Sequence, residues 1–99
     1  RKFPMLPGTY TYYTAVTSAL SYSSEGYSGW HLPSKEQLEL MYNTIGQGAD
    51  NIGNFLDQKY WSSSAYSEES SWLKNFSENN YTWFHDMRET NKARPIRTF

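Results

Sequence analysis

The chain has 99 residues, a net charge of −1 and no cysteine. This length supports one domain, and the near-neutral charge argues against binding of nucleic acid through bulk electrostatics. The lack of cysteine excludes a disulfide scaffold, a thiolate metal site and a cysteine nucleophile. Aromatic residues make up 18% of the chain, so we expect them to supply much of the core and part of the surface. Because no apolar run approaches the ~20 residues of a spanning helix, no membrane insertion is expected.

The segment that follows residue 10 has the periodicity of a helix. Its apolar residues fall at i, i+3, i+4, i+7 and i+8 and are Tyr12, Ala15, Val16, Ala19 and Leu20. Thr11 can cap the start of this helix, and Gly26 lies beyond its end. The two alanines would allow the helix to lie close to a sheet.

A second helix is predicted after Ser34, which has Gln37 at the spacing of a capping box. Its apolar stripe consists of Leu38, Met41, Tyr42 and Ile45. Gly46 is expected to end the helix at the C′ position. Residues 46–59 then predict a loop with at most one helical turn. The side chains expected to hold this loop to the core are Ile52, Phe55 and Leu56.

From Tyr60 onward the hydrophobic period is two, which is typical of strands. The alternation predicts strands at 60–62, 72–76, 81–87 and 93–99, with a turn at 78–80. Two helices followed by antiparallel strands indicate an α+β fold. We therefore expect two helices packed on a small, mainly antiparallel sheet.

Four segments occur in the order that is typical of one bacterial domain family. They are GWHLPS at 29–34, a helix that leads with Glu36, YWSSS at 60–64 and RPIR at 94–97. With these segments, residues 11–99 resemble the Fibrobacter-type major paralogous domain, to which the carboxy-terminal domain of a Legionella collagen-like adhesin is similar. The resemblance implies a C-type-lectin-like fold for a single domain over residues 1–99. It also implies a C-terminal module of a longer, secreted or cell-surface protein. His31 stands where the family usually has arginine.

The sequence predicts no metal site and no catalytic site. It lacks the Glu/Gln-Pro-Asn/Asp and Trp-Asn-Asp strings of calcium-dependent lectins, and no carboxylates are spaced for the six to eight oxygen ligands of calcium. His31 and His85 have no third ligand for a catalytic zinc. Ser71 and Lys74 match a Ser-x-x-Lys spacing, but on a strand they point to opposite faces. We expect no enzyme activity and no cofactor.

An aromatic and polar face between residues 62 and 91 is the candidate binding site. Tyrosine and tryptophan give rigid contact area, and asparagine gives adaptable hydrogen bonds. The residues expected to bind a ligand are Tyr66, Trp72, Asn79, Asn80, Tyr81, Trp83, His85 and Arg88. The alternative is that the tryptophans are core residues and the polar residues are ordinary loop residues.

These features favour a calcium-independent, adhesin-like domain that binds a surface glycan or a protein outside the cell. Two alternatives stay open. The abundance of asparagine, serine and tyrosine between residues 62 and 91 also suits a retroelement-diversified variable protein with a lectin-like fold. A structural module that forms a homotrimer is the other alternative.

Basic residues crowd the end of the chain and are Arg88, Lys92, Arg94 and Arg97. They predict either a small anion site or a mixture of structural and solvated charges. Arg94 and Arg97 fall on opposite faces of the last predicted strand. Because Arg94 shares a face with Ile96, we expect Arg94 to be buried and Arg97 to lie nearer to solvent.

Overall fold

The computed structural model describes residues 5–23, 26–77 and 79–97. Its elements are α1 (Tyr12–Ser21), α2 (Lys35–Thr44), β1 (Lys59–Ala65), β2 (Ser70–Asn75) and β3 (Thr82–Asp86). The strands pair in the order β1-β2-β3, and both pairings are antiparallel. The predicted α+β class, with two helices on a small antiparallel sheet, is confirmed. No helix in the described ranges is long and apolar enough to cross a membrane.

Both helices begin at the predicted caps. At α2 the Gln37 N–H donates to Ser34 Oγ at 3.1 Å, and the Ser34 N–H donates to Gln37 Oε1 at 2.8 Å. These two bonds form the capping box that the sequence indicates. At α1 the Thr14 N–H lies 3.5 Å from Thr11 Oγ1, which is a longer and weaker cap.

Gly46 follows α2 as predicted, but for a different physical reason. A C′ glycine is usually favoured because it adopts a positive φ, and Gly46 is not among the glycines with positive φ. Instead, a Cβ at this position would lie 2.8 Å from the Tyr42 Cα. Glycine is therefore required here by close approach of the backbone.

Serine side chains stabilise an irregular stretch of β1. After Trp61, β1 carries two more residues than the facing part of β2, so the regular ladder is interrupted. Within this stretch the Ser62 hydroxyl donates to the Trp72 carbonyl at 2.6 Å, and the Ser71 hydroxyl donates to the Ser64 carbonyl at 3.0 Å. Hydroxyl groups thus satisfy carbonyls that a regular ladder would have paired.

The sheet lies between the two helices, so both of its faces are covered. The cluster on the α1 side consists of Ala15, Ala19, Leu32, Trp61, Leu73 and Ala93. The cluster on the α2 side consists of Leu38, Tyr42, Phe55, Tyr60 and Phe76. The two alanines of α1 are fully buried, which agrees with the close approach to a sheet that they predict.

Three apolar residues that we expected inside are on the surface. Leu20 belongs to the last turn of α1, and Ile52 and Leu56 belong to the loop before β1. Their exposed fractions are 62%, 63% and 44%. Phe55 alone carries out the predicted role, because its ring is buried in the α2-side cluster.

The predicted strand at 93–99 is wrong for residues 93–97, and residues 98 and 99 lie outside the described ranges. Ile96 in this segment forms an isolated bridge with His31, and Lys92, just before the segment, forms one with Tyr60. Pro95 has no N–H and interrupts a ladder at this point. The predicted turn is present at Asn79 and Asn80, and residue 78 lies outside the described ranges.

Arg94 is buried, as predicted, and its side chain is 3% exposed. Its guanidinium donates to the Gly53 carbonyl and lies 4.4 Å from the centre of the Phe55 ring. Burial lowers the pKa of this guanidinium and raises the pKa of the neighbouring Tyr60 hydroxyl. The charge therefore ties the end of the chain to the loop before β1.

Arg97 lies nearer to solvent than Arg94, but it is not a simple surface residue. Its guanidinium carbon lies 4.6 Å from the centre of the Tyr27 ring, and its Nε donates to the Ser28 carbonyl at 2.9 Å. It thus holds the segment that precedes α2 against the end of the chain.

Replacement of Arg94 by alanine is expected to lower the free energy of unfolding by about 3 kcal/mol or more, because it leaves buried acceptors unpaired. Arg88, which is 84% exposed, is the matched control, and Arg88→Ala should stay within about 0.5 kcal/mol. Urea unfolding followed by tryptophan fluorescence measures both values. Equal, small losses for the two variants would contradict the structural role of Arg94.

Ser34→Ala should cost about 1 kcal/mol of stability, because it removes the acceptor of the capping box. Thr11→Ala should cost less, since the bond that it removes is 3.5 Å long. Thermal unfolding of both variants tests this order. A larger loss for Thr11→Ala would show that the caps are ranked wrongly.

Candidate functional site

Four aromatic side chains form one continuous surface, which we call the aromatic platform. It consists of Tyr66, Trp72, Trp83 and Phe84. Trp83 and Phe84 belong to β3, Trp72 belongs to β2, and Tyr66 lies in the bend that joins β1 and β2.

Phe84 is the central ring of the platform. The Tyr66 ring stacks on it with centroids 3.8 Å apart and planes 1° apart, and the Trp83 ring stacks on it at 5.0 Å and 23°. Trp72 meets all three rings edge-on, at centroid distances of 5.7 to 6.1 Å. Tyr66 is 53% exposed and Trp83 is 55% exposed. The two outer rings therefore offer aromatic surface to solvent, while Phe84 and Trp72 support them.

The register of the sheet explains why these rings meet. Trp72 lies directly opposite Phe84 in the β2–β3 ladder, so both point toward the α2 side. Trp83 lies opposite Leu73, which is buried on the α1 side. Its indole nevertheless contacts Trp72 and Phe84. This arrangement is possible because β3 is an edge strand, around which a long side chain can fold.

Lys35 supports the platform from α2. Its ammonium lies 4.0 Å from the centre of the Trp72 ring, a cation–π contact. Lys35 is the first residue of α2, and its N–H donates to Ser64 Oγ at 3.1 Å, which fixes the start of the helix against β1. The sequence analysis missed Lys35, since no local pattern connects it with Trp72.

Tyr81 and His85 form a separate pair. Four residues of a strand span ~13 Å, yet the two rings are stacked with centroids 6.4 Å apart. The Tyr81 and His85 rings therefore tilt toward each other over the intervening residue, Trp83. His85 Nδ1 also lies 3.0 Å from Glu89 Oε1.

The remaining predicted residues lie apart from the platform. Asn79 and Asn80 occupy the turn before β3, and the Asn80 carbonyl accepts a hydrogen bond from Lys74 Nζ at 2.8 Å. Arg88 lies beyond the other end of β3 and binds Asp86. The structure thus brings together three of the eight predicted residues, adds Phe84 and Lys35, and leaves the others in separate places.

The arginines at the end of the chain have different hydrogen-bond partners. Arg88 binds Asp86, Arg94 binds the loop before β1, and Arg97 binds the segment before α2. An anion site at Arg88 and Lys92 stays a prediction.

Ser71, His85 and Glu89 lie in series on the α1 side of the sheet, as in a catalytic triad, but their hydrogen bonds do not activate the serine. Ser71 lies opposite His85, and His85 contacts Glu89. The Ser71 side chain is fully buried, and its hydroxyl donates to the Ser64 carbonyl rather than to the imidazole. A nucleophilic serine requires the hydrogen bond to its base. Lys74 points to the other side of the sheet, as the strand alternation predicts.

The described residues contain no group of three or more His, Cys, Asp or Glu side chains that could hold a metal ion. A scan against models of known protein families finds no match for this chain, and no curated protein matches its sequence. The resemblance to the Fibrobacter-type domain therefore stays an expectation.

The carboxyl group of Asp86 should titrate at a pKa of about 2, because the Arg88 side chain and backbone N–H both donate to it. The ordinary value is 3.8, so this stabilisation is present above about pH 4 and is lost as the pH falls through about 2. Arg88→Ala should move the pKa upward, though not fully, since the backbone N–H remains. An NMR titration of the carboxyl carbon measures the change.

Glu89→Gln is the control for this titration, because it removes a neighbouring carboxylate without touching the Asp86–Arg88 pair. The pKa of Asp86 should then stay at about 2. A value near 3.8 in the unmodified protein would contradict the ion pair.

Proposed function

We propose that this domain binds glycans through the aromatic platform, without calcium. The observation that carries the proposal is the exposure of two large rings, Tyr66 and Trp83, on either side of a shared partner, Phe84. Exposed aromatic surface is unfavourable in water, and a sugar that covers these rings with its C–H groups would remove this cost.

The platform is preorganised for binding. Every ring in it contacts at least two of the others, and Trp72 also contacts the Lys35 ammonium. Rings that are already fixed lose little conformational entropy when a ligand binds. The Tyr66 hydroxyl adds a hydrogen-bonding group at the exposed end.

Two half-exposed rings beside each other in a cluster suit a glycan better than a protein side chain. A protein hot spot is typically a central aromatic residue that fits a desolvated pocket on its partner. In the platform, the Tyr66 and Trp83 rings stack on Phe84 instead, so each keeps an outer face on which a sugar residue can stack. A protein ligand is the second reading of the same surface, and the experiment below separates the two.

The resemblance noted in the sequence supports a C-type-lectin-like fold and a place outside the cell or on its surface. The segments that carry the resemblance also meet in space. The Ser63 N–H donates to the Pro33 carbonyl at 2.8 Å, and His31 exchanges two backbone hydrogen bonds with Ile96. We propose the lectin-like identity and the extracellular location on this basis.

A glycan array should show binding to at least one class of polysaccharide, with quenching or enhancement of tryptophan fluorescence in solution. Tyr66→Ala and Trp83→Ala should each weaken this binding by tenfold or more, because each removes one stacking ring. Tyr13→Ala is the matched control, since Tyr13 is 58% exposed but lies on α1. Its affinity should be unchanged.

EDTA should change neither the affinity nor the melting temperature. A drop of several degrees on chelation would contradict calcium independence. An array without any bound glycan would contradict glycan binding and favour a protein ligand. Equal losses of glycan affinity for Tyr66→Ala and Tyr13→Ala would contradict the platform as the binding site.

A further inference from the structure

A polar cleft of about 260 Å³ opens at the end of the sheet that is opposite Tyr66. It lies where the start of β1 meets the end of β2, beside Lys59 and Asn75, which face each other in the ladder. The segments around residues 9 and 90 close its other walls. None of the platform residues lines it.

Neutral hydrogen-bonding groups dominate the walls of this cleft. Three hydroxyl groups line it, from Thr9, Ser77 and Thr90, together with side-chain amides that include Asn75 and Asn91. Hydroxyls and amides can both donate and accept hydrogen bonds. No aromatic or aliphatic side chain is among the lining residues, so an apolar ligand would find no partner here.

Charge does not favour an anion or a cation in the cleft. The charged lining residues are Asp57 and Lys59, one of each sign. In the described part of the chain they do not form an ion pair with each other. Their opposite charges cancel at a distance, while each remains able to bind hydroxyl groups of a ligand.

Asn91 supplies an independent sign that the cleft accepts a ligand. Its side chain is 6% exposed, and its Nδ2 has no hydrogen-bond partner among the described residues. A buried donor without a partner costs about 1–3 kcal/mol. Because Asn91 lines the cleft, this donor is a candidate partner for an oxygen held there.

We propose that the cleft binds a small, uncharged, polyhydroxylated molecule, such as one sugar residue or a polyol. The volume is below the ~300–1,000 Å³ of sites for drug-sized ligands, which suits a ligand of this size. The site is open and has no stacking ring, so the dissociation constant should be on the order of millimolar. This site is separate from the aromatic platform and does not depend on it.

The test is an NMR titration of the ¹⁵N-labelled protein with glucose, N-acetylglucosamine and inositol. At least one of them should shift the side-chain amide signals of Asn91 and Asn75 in a saturable manner. Thr90→Val, which removes an exposed hydroxyl and preserves shape, should weaken this binding several-fold without changing the melting temperature. Trp83→Ala should leave it unchanged, although the same change should weaken binding at the platform by tenfold or more.

Glucuronate and glucosamine serve as charged counterparts of the neutral sugars. A charged sugar that binds tenfold more tightly than glucose would overturn the proposed ligand class. The site itself would be overturned if no saturable shift appeared at sugar concentrations up to roughly 100-fold above a millimolar dissociation constant. An unchanged affinity of Thr90→Val would overturn it as well.

Discussion

The ammonium group of Lys74 is fully buried on the central strand of the sheet. It lies 2.5 Å from Glu39 Oε2 of α2, donates to the Asn80 carbonyl at 2.8 Å, and lies 4.7 Å from the centre of the Tyr42 ring. A buried charge is very costly unless it is paired and hydrogen-bonded. These partners come from α2 and from the turn before β3, so the need to satisfy one charge fixes both elements relative to β2.

The position of the platform follows from that constraint. Because α2 is held on the sheet by Lys74 and Glu39, the first residue of α2, Lys35, comes to lie over Trp72. Because the turn is held at Asn80, the β2–β3 register is set and Phe84 faces Trp72. The binding surface thus depends on the same contacts that hold the core together.

Local signals in the sequence predicted local structure well. The capping box of Ser34 and the alternation around Trp72 depend on neighbours within a few residues, and both are present. Contacts between distant segments gave no such signal. The burial of Lys74 runs against the usual exposure of lysine, and it depends on Glu39, which is 35 residues away in the chain. Lys35 was missed for the same reason.

The candidate site was predictable only in part, because the sequence did not indicate how side chains behave at the edge of the sheet. Alternation places Trp83 on the same side as Leu73, but it fixes only the direction in which a side chain leaves the strand, not where a long side chain ends. Within the described ranges β3 pairs with one strand, β2, so the indole can fold around the edge to the other face. The prediction of the last strand failed for a related reason. The alternation of apolar residues gives no sign of the backbone N–H that Pro95 lacks.

The exposed indole of Trp83 also lies at the outer edge of the sheet, where, within the described part of the chain, β3 has unpaired backbone groups. The Asn75 N–H donates to the Tyr81 carbonyl, so the antiparallel alternation turns the backbone groups of Thr82 and Phe84 away from β2. Such an edge can pair with a strand of another chain, and proteins usually protect it with bulky, charged or irregular features. The Trp83 ring lies beside this edge and hinders a flat approach of a second strand. We therefore expect the side chain that we propose for glycan stacking to hinder edge-to-edge association as well, and both effects require that it stay at the surface.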